Sequence, residues 1–449
     1  MQLFPLYIGT CVWYTQYKHM FFLRGRSMNK IIFHVDVNSA FLSWEAVYRL
    51  KHLGFNQDLR ELISAVGGDA TLRHGIILAK STPAKKYKIQ TGESVLEAKQ
   101  KCPDLIIVPP NYGLYEKSSA AFMDILRQYT PDVEQYSIDE AYMDMTGTEG
   151  LWGTPLEAAN TIKDRIHNEL GFTVNIGIST NKLLAKMAGD FKKPNLVHTL
   201  YPYEIEGKMW PLEVSNLFFV GNATTKKLHN LGILTIGQLA HTDINLLKAH
   251  MKKHGEIVWS FANGLDFTSV LPAAPKQKGY GNSTTIPYDV TNAKDAYIVL
   301  LALVETVSAR LRKDNVKAEV ISIGIKDYVF NYMSHQSVIS NATNITKEIY
   351  KITCKLFNEA WNGIPIRHLG VHTSRLKDNI LSRQINMFDT DDFEKLEFAD
   401  IMVDSIRAKY GIDAIQRAVF LTQKIDHMSG GISRDKRNVD YNKLIIENK

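Results

Sequence analysis

Several features that would place a sequence in a class at once are scarce here. The 449 residues include only three cysteines, which lie far apart without the spacing of metal ligands. This argues against a disulfide framework or a cysteine-rich zinc site, and it predicts a reduced, cytoplasmic protein. The sequence has no internal repeat, no low-complexity tract and no unbroken apolar run long enough to span a membrane, so we expect no membrane association.

The first 27 residues are apolar and aromatic, but Gln16, Lys18, His19 and Arg24 interrupt them. A signal peptide would begin with charge and continue as an unbroken apolar core, so this pattern fits one poorly. Regular strand periodicity begins only after Met28. We therefore expect Met28 to be the natural start and residues 1–28 to be a leader that is non-native or disordered.

The composition is that of an ordinary globular protein, with 45% hydrophobic and 22% charged residues. The length is sufficient for several domains. The formal net charge is +6, and residues 276–378, with 14 Lys and Arg against 9 Asp and Glu, hold +5 of it. A basic domain on a chain that also has a separate acidic site is the charge separation expected of a nucleic-acid enzyme.

The acidic site is predicted from residues 135–145, QYSIDEAYMDM. Apolar and polar residues alternate on both sides of Asp139 and Glu140, which indicates two strand segments that meet at this pair. Adjacent carboxylates at strand ends repel each other and lose hydration, so a cation should hold them, and Mg²⁺ prefers oxygen ligands. The same pair taken alone is also consistent with a solvated turn.

A third carboxylate follows a second apolar run, residues 31–37, which predicts a strand buried on both faces. Asp36 near the end of this strand is costly to bury unless it is paired or bound to a metal. Asn38 then breaks the strand and a helix begins. Asn38 or Ser39 is also expected to cap this helix.

Two further segments suit phosphate groups. Residues 80–88 place four lysines around a hydroxyl-rich turn, which fits either a triphosphate site or a solvated face. Residues 219–228 place a glycine turn before a helix, which fits either a phosphate site or an ordinary helical hairpin.

The order of predicted elements is strand, helix, strands, helix, strand, helix as far as residue 200, which indicates an α+β sheet layered with helices. Residues 201–268 are expected to be wholly helical. The sequence PAAP at 272–275 predicts a linker, and residues 276–378 a second α+β unit. A further helix is expected near residues 393–410.

At this point the motifs resemble those of the Y-family (lesion-bypass) DNA polymerases, of the bacterial polymerase IV and V type. They are DVNSAF at 36–41, YSIDEAYMDM at 136–145, NIGISTNKLLAKMAGDFKKPN at 175–195, the glycine turn at Gly221 and GNSTTIP at 281–287. The resemblance implies a multidomain α+β right hand with these parts: palm 29–38 and 111–200, fingers 39–110, helical thumb with a helix-hairpin-helix 201–268, linker 269–275, α+β little finger 276–378 and C-terminal tail 379–449.

The resemblance also assigns site residues. Asp36, Asp139 and Glu140 would be catalytic and, with the Val37 carbonyl, would bind two Mg²⁺ ions. Phe41 would be the steric gate against a ribose 2′-hydroxyl. The residues implied to bind the triphosphate are Thr82, Lys85 and Lys193. The family usually has a tyrosine and an arginine where this chain has Thr82 and Lys85, and because lysine lacks the bidentate guanidinium fork we expect weaker nucleotide binding.

DNA contacts are implied at Gly221, Thr224, Lys226, Ser283 and Thr284. Residues 384–388, QINMF, resemble the peptide by which bacterial polymerases bind the sliding clamp, with Gln384, Met387 and Phe388 as its anchors. The implied partners are primer–template DNA, deoxynucleoside triphosphates and this clamp, and we expect a cytoplasmic monomer.

The function predicted in this way is template-directed, low-fidelity DNA synthesis across lesions, without proofreading. Two alternatives stay open at this stage. One is another palm-type nucleotidyl transferase, and the other is a catalytically impaired DNA-binding scaffold of DNA repair. Neither the lesion nor the choice between the polymerase IV and V branches follows from the residues.

Overall fold

The structure is a computed structural model, and it describes residues 30–68, 75–273, 276–379, 392–421 and 426–428. The chain forms two compact units. The first unit combines the chain up to Val47 with Glu116–Ala274, and the second combines Tyr48–Tyr115 with the chain from Pro275 onward. Helices α1 and α4, defined below, each run across the division. The predicted leader lies outside the described residues, and the predicted hand-like domain boundaries stay a prediction.

The strands of the described residues are β1 (Ile32–Val37), β2 (Ser64–Gly67), β3 (Ile77–Lys80), β4 (Ile106–Val108), β5 (Val133–Gln135), β6 (Glu140–Asp144), β7 (Val174–Ser179), β8 (Val197–Thr199), β9 (Gly279–Val290), β10 (Val316–Asp327), β11 (Tyr332–Thr343) and β12 (Ile366–Asp378). The helices are α1 (Ala40–His52), α2 (Thr82–Lys85), α3 (Val95–Lys101), α4 (Tyr112–Arg127), α5 (Glu149–Trp152), α6 (Pro155–Leu170), α7 (Lys182–Asp190), α8 (Asn222–Asn230), α9 (Ile236–His241), α10 (Ile244–Met251), α11 (Lys253–Ala262), α12 (Ala293–Lys313), α13 (Thr346–Ala360) and α14 (Phe393–Tyr410). In this part of the chain no helix has both the length and the apolar character that a membrane crossing needs.

The first unit is built on a five-stranded sheet with the order β5-β6-β1-β7-β8. Strand β1 is central, runs antiparallel to β6 and β7, and is buried along its whole length, as its apolar run predicts. Helix α7 packs closely on β7 at Gly177, where a Cβ atom would lie only 1.9 Å from the Ala185 carbonyl oxygen. This approach brings the lysines of α7 toward the central strands.

The helical region that follows shares a core with α7. Buried residues of α7 such as Leu184 pack with Met209, Leu228 and Leu247 in one hydrophobic cluster. Several of these helices start with strong caps: Thr235 forms a capping box with Gln238 at the start of α9. The expectation that residues 201–268 contain helices without strands is confirmed for the regular elements described here.

The second unit contains two sheets. Residues 48–115 form a small sheet with the order β3-β2-β4, and Ser94 caps α3 through a capping box with Glu97. Residues 279–378 form a four-stranded antiparallel sheet with the order β11-β10-β12-β9, and α12 and α13 share its hydrophobic core. This sheet with its two helices is the α+β unit that the sequence predicts at residues 276–378.

One face of the four-stranded sheet packs on α12 and α13, and we call the opposite face the open face. Strand pairing places four residues per strand on it, in register across all four strands. They are Gly279, Gly281, Ser283 and Thr285 on β9; Ser374, His372, Gly370 and His368 on β12; Val320, Ser322, Gly324 and Lys326 on β10; and Val338, Gln336, Ser334 and Tyr332 on β11. These sixteen positions are mostly small or polar and include no carboxylate.

Candidate active site

Strand register brings the three predicted carboxylates to one end of the first unit's sheet. Asp36 on β1 lies directly opposite Glu140 on β6, and the Val37 N–H donates to the Asp139 carbonyl over 3.0 Å. Asp36 is buried, while Asp139 and Glu140 are half-buried. Residues separated by about a hundred positions therefore form one acidic group.

Asp36 is held by a lysine. Lys193 Nζ donates to Asp36 and also to Asp190 at 2.9 Å. Burial raises the pKa of Asp36 above its usual range, although Lys193 opposes this effect. Burial disfavours the charge of Lys193, but Asp36 and Asp190 outweigh it and raise the pKa of this lysine. The ammonium group thus stays charged beside the buried carboxyl.

Glu140 has two basic neighbours that the sequence reasoning missed. Lys186 Nζ lies 2.9 Å from Glu140 Oε1, and Nε2 of the fully buried His34 lies 3.7 Å from Oε2. Burial would raise the pKa of Glu140, but His34 and Lys186 together lower it to about 2. Glu140 is therefore ionised at neutral pH.

Lys186 reaches this position from the buried side of α7. Its ammonium lies 5.9 Å from the ring centroid of Tyr136 and 5.5 Å from that of Phe218. A lysine among the buried neighbours Leu184, Ala185 and Met187 is unusual without a partner. That pattern was visible in the sequence and could have indicated a role at the site.

Asp139 is positioned by its own turn. The Ser137 hydroxyl donates to Asp139 Oδ1 over 2.7 Å and accepts from the Asp139 N–H. The N–H groups of Tyr136 and Ser137 both donate to the Glu140 carbonyl. The result is a tight bend that places the adjacent residues Asp139 and Glu140 at the end of the sheet where Asp36 lies.

This donor set fits hard divalent cations. Carboxylate oxygens are the ligands that Mg²⁺ prefers, and two of the three carboxylates already hold ammonium groups in place. In addition to burial, the charge of Glu140 raises the pKa of Asp36, and a cation bound beside both groups would relieve this repulsion. The Val37 carbonyl belongs to the same strand end, and its role as a ligand stays a prediction.

Asn38 connects the end of β1 to the segment that follows Lys193. Its side chain donates to Asn175 Oδ1 and accepts from the Thr173 hydroxyl and the Asn195 N–H. Ser39 has a φ of 47°, which turns the chain from β1 into α1. Asn38 therefore bridges three segments around the site.

Phe41, the predicted steric gate, stands in the first turn of α1, five residues after Asp36. Its half-buried ring lies 5.8 Å from that of Trp44. Trp44 is in turn packed edge-on against Phe172. The ring is thus supported from behind by buried aromatic residues.

Thr82 and Lys85 are the first and last residues of the short helix α2 in the second unit. Ser81 caps the N-terminus of this helix. Lys85 is exposed, and burial together with the charge of Lys85 lowers the pKa of Lys80. These groups form a basic, hydroxyl-bearing helix start. Their contact with a triphosphate stays a prediction.

The predicted DNA-binding residues fall on two surfaces. Gly221 caps the N-terminus of α8, Lys226 is exposed, and the Thr224 hydroxyl lies 3.2 Å from His254 Nε2. On β9 the side chain of Ser283 lies on the open face, but that of Thr284 points to the opposite side and is only 8% exposed. The predicted clamp residues Gln384, Met387 and Phe388 lie outside the described residues.

Comparison with known proteins assigns the family. Residues 35–190 match the model of the impB/mucB/samB family, and residues 277–387 match that of the family's C-terminal domain. The chain belongs to the impB/mucB/samB family. A DNA polymerase IV of Clostridium acetobutylicum is 47% identical over 398 residues, covering 88% of this chain and 100% of the relative. A DNA polymerase IV of Acetivibrio thermocellus is 38% identical, covering 88% of this chain and 99% of the relative.

The fold agrees with a solved structure. A Y-family DNA polymerase chimera aligns with a TM-score of 0.66 and 23% identity, covering 78% of this chain and 100% of the chimera. This likeness shows the fold. The predicted Y-family membership and the predicted α+β polymerase architecture are both confirmed.

Proposed function

We propose that this chain, a template-directed DNA polymerase of the lesion-bypass family, extends a primer through a two-metal site on Asp36, Asp139 and Glu140. The observation that carries this proposal is the strand register that sets Asp36 opposite Glu140 while Val37 binds the Asp139 carbonyl. Members of this family use divalent metal ions, and we propose Mg²⁺, with two ions per site. Bound there, the ions would activate the primer 3′-hydroxyl and neutralise charge on the leaving pyrophosphate.

The remaining steps belong to side chains of the chain itself. Lys193 has a third of its side chain exposed beside Asp36, so we propose that it turns to the triphosphate of the incoming nucleotide. We propose that Thr82 and Lys85 bind the same triphosphate, and that Phe41 excludes a ribose 2′-hydroxyl. A catalytically impaired scaffold is not favoured, since all three carboxylates are present and ionic partners position two of them.

We propose that the DNA lies against the loop at Gly221 and the open face of the second unit. The N-terminus of α8 offers backbone N–H groups to a phosphate, beside Thr224 and the exposed Lys226. None of the sixteen open-face positions is a carboxylate that would repel phosphates, and Ser283 is one of them. Because the Thr284 side chain is buried, its contact with DNA would come from the backbone. We propose that the chain acts in the cytoplasm as a monomer.

The metal-site proposal is tested by Asp139→Asn, which removes one charge and keeps the side-chain volume. Primer extension with Mg²⁺ should fall by at least about a hundredfold, because an essential metal ligand is lost. Primer–template affinity should stay within about twofold of the unmodified protein, since the DNA is held mainly by basic and small residues elsewhere.

Asp144→Asn is the matched control. Asp144 is the last residue of strand β6, which begins directly after Asp139, and the one hydrogen bond described for its side chain is accepted from the Thr146 N–H. Extension by this variant should match the unmodified protein. Near-complete extension by Asp139→Asn would refute the site.

We propose separately that residues 384–388 dock into a groove of the sliding clamp. The segment lies between β12, which ends at Asp378, and α14, which begins at Phe393. Met387 and Phe388 are two apolar anchors in a polar stretch, as in peptides that bind preformed grooves. Combined Met387→Ala and Phe388→Ala should abolish clamp binding and leave clamp-free extension unchanged. Retained clamp binding together with a lower melting temperature would instead mean that the two residues pack within the protein.

A further inference from the structure

A group of exposed apolar side chains lies at the tip of the β10–β11 hairpin. Tyr328, Val329, Phe330 and Tyr332 are 52%, 53%, 62% and 60% exposed. Single exposed apolar residues are common on soluble proteins, but a contiguous group of them points to a binding surface. We call these four residues the tip patch. Neither the metal site nor the loop at Gly221 uses it.

The loop that carries the tip patch is held in one conformation. The side chain of Asp327, which is 2% exposed, accepts from the N–H groups of Val329 and Asn331 over 3.0 and 2.8 Å. The Phe330 N–H donates to the Asp327 carbonyl, and the Tyr328 N–H donates to the Pro365 carbonyl. The four loop N–H groups therefore all have acceptors, so the apolar side chains are displayed on a fixed backbone.

The backbone of Phe330 is held in a conformation that phenylalanine rarely adopts. Its φ is 70°, in the left-handed region that residues other than glycine and asparagine rarely adopt. Strained residues that the surrounding bonds keep in place occur preferentially at binding and catalytic sites. Here the strained backbone displays an aromatic ring with the highest exposed fraction in the tip patch, 62%.

Two cations lie beside this ring. The Arg367 guanidinium is 5.0 Å from the centroid of the Phe330 ring, and the Lys326 ammonium is 6.0 Å from it. An exposed ring combined with cations is the pair of groups that binds single-stranded nucleic acid, because a base stacks on the ring and a phosphate meets the charge.

The tip patch is also continuous with the open face. The Tyr332 ring lies over Gly324, where a Cβ atom would be only 2.5 Å from the tyrosine hydroxyl oxygen. Lys326 and Tyr332 are paired neighbours in the same row of the open face. A strand of DNA along the sixteen open-face positions, none of which is a carboxylate, would therefore reach the tip patch.

We propose that the tip patch binds single-stranded DNA, with one base stacked on Phe330 and its phosphate beside Arg367 and Lys326. This assignment rests on the family's action on DNA but not on the metal site. A protein partner would have to supply carboxylates for both cations in addition to an apolar surface. Each nucleotide of a single strand supplies a ring face and a negative charge together.

Fluorescence anisotropy on the full chain tests the proposal, with EDTA present so that no extension occurs. The probes are a labelled oligo(dT) of about 16 nucleotides and a blunt duplex of the same length. Phe330→Ser should weaken oligo(dT) binding by about five- to tenfold, because one stacking partner is lost. Its affinity for the duplex should stay within about twofold. Arg367→Gln should weaken oligo(dT) binding and reduce its salt dependence.

Two further variants separate stacking from damage to the fold. Phe398 on α14 has the same exposed fraction as Phe330, 62%, so Phe398→Ser should bind oligo(dT) as the unmodified protein does. Phe330→Trp should retain affinity, and oligo(dT) should quench the fluorescence of the new indole, whereas the indole of Phe398→Trp should not respond.

Equal oligo(dT) affinity of Phe330→Ser and the unmodified protein would overturn the proposal, as would an equal loss for the duplex. Self-association of the unmodified protein that Phe330→Ser abolishes, with oligo(dT) binding unchanged, would identify a protein interface and would also overturn it. None of these outcomes bears on the metal site, because the measurement requires no catalysis.

Discussion

Helix α14 is held to the second unit mainly by charge, and Arg312 is central to that attachment. Arg312 Nε lies 2.6 Å from Asp404 Oδ2, and Nη1 lies 3.2 Å from Asp400 Oδ2. Nη1 also donates to the Asn344 carbonyl over 2.8 Å. No residue of α14 is buried, so apolar packing adds little to its docking. Replacement of Arg312 should therefore release this helix before it affects the rest of the fold.

The magnitude follows from the burial of the pair. The side chains of Arg312 and Asp400 are 9% and 14% exposed, and removal of one partner from a buried ion pair costs about 3–5 kcal/mol. Arg312→Met should lower the free energy of opening of α14 by about 3 kcal/mol. The lower end of the range applies because Asp404 is partly exposed. Lys355→Met is the control: its side chain is 76% exposed and 3.9 Å from Glu359, and such pairs contribute about 0–1 kcal/mol.

Hydrogen exchange followed by mass spectrometry measures this opening directly. Exchange of the amides of residues 393–410 in Arg312→Met should accelerate by about a hundredfold, since each tenfold change corresponds to about 1.4 kcal/mol. The exchange rate of the same amides in Arg312→Lys should lie between those of the unmodified protein and Arg312→Met, because lysine keeps the charge but lacks the bidentate guanidinium fork. Unchanged protection of α14 in Arg312→Met, or equal loss in Lys355→Met, would show that the ion pairs do not dock the helix.

Three shorter predictions concern the first unit. Phe41→Ala should admit ribonucleotides, and an unchanged preference for deoxynucleotides in single-turnover extension would place the gate elsewhere. Gly177→Ala should lower the melting temperature by several degrees, since its Cβ would lie 1.9 Å from the Ala185 carbonyl oxygen; a melting temperature equal to the unmodified protein's would mean that α7 moves away freely. Lys186→Met should strengthen Mn²⁺ binding to the nucleotide-free protein by about fivefold or more, because a positive charge leaves Glu140; isothermal titration showing unchanged affinity would contradict this.

Local patterns in the sequence were sufficient to predict individual strands, but not to predict which strands pair and in which register. The apolar run of β1 and the alternation around Asp139 predict strands, and both strands are present. Their register, which sets Asp36 opposite Glu140, depends on pairing between residues 104 positions apart, and only the family resemblance joined them. The positions of Ser283 and Thr284 show the reverse case: strand alternation alone predicts that they face opposite sides.

The contacts of charged residues were the least predictable feature. A lysine or arginine in a helix is normally solvated, and its partner cannot be identified from sequence spacing. Arg312 finds Asp400 across 88 positions, and Lys186 finds Glu140 across 46. The Lys186 contact is set by the apolar packing of α7, which fixes the backbone that carries this lysine. The Arg312 contact has no such support on the side of α14, where no residue is buried, so there the ion pair itself positions the helix.

The cationic side chains discussed above lie in two kinds of site, which differ in burial and in whether a carboxylate is bonded to them. Around Asp36 and Glu140 the lysines are largely buried and bonded to carboxylates, so dissolved salt screens them weakly. Beside the tip patch, Lys326 and Arg367 lie near the ring of Phe330, and none of the sixteen open-face positions is a carboxylate. Salt should therefore weaken DNA binding strongly, since counterions compete for such surfaces. The same salt should leave the carboxylate–lysine contacts of the metal site nearly intact, so the two can be separated by ionic strength alone.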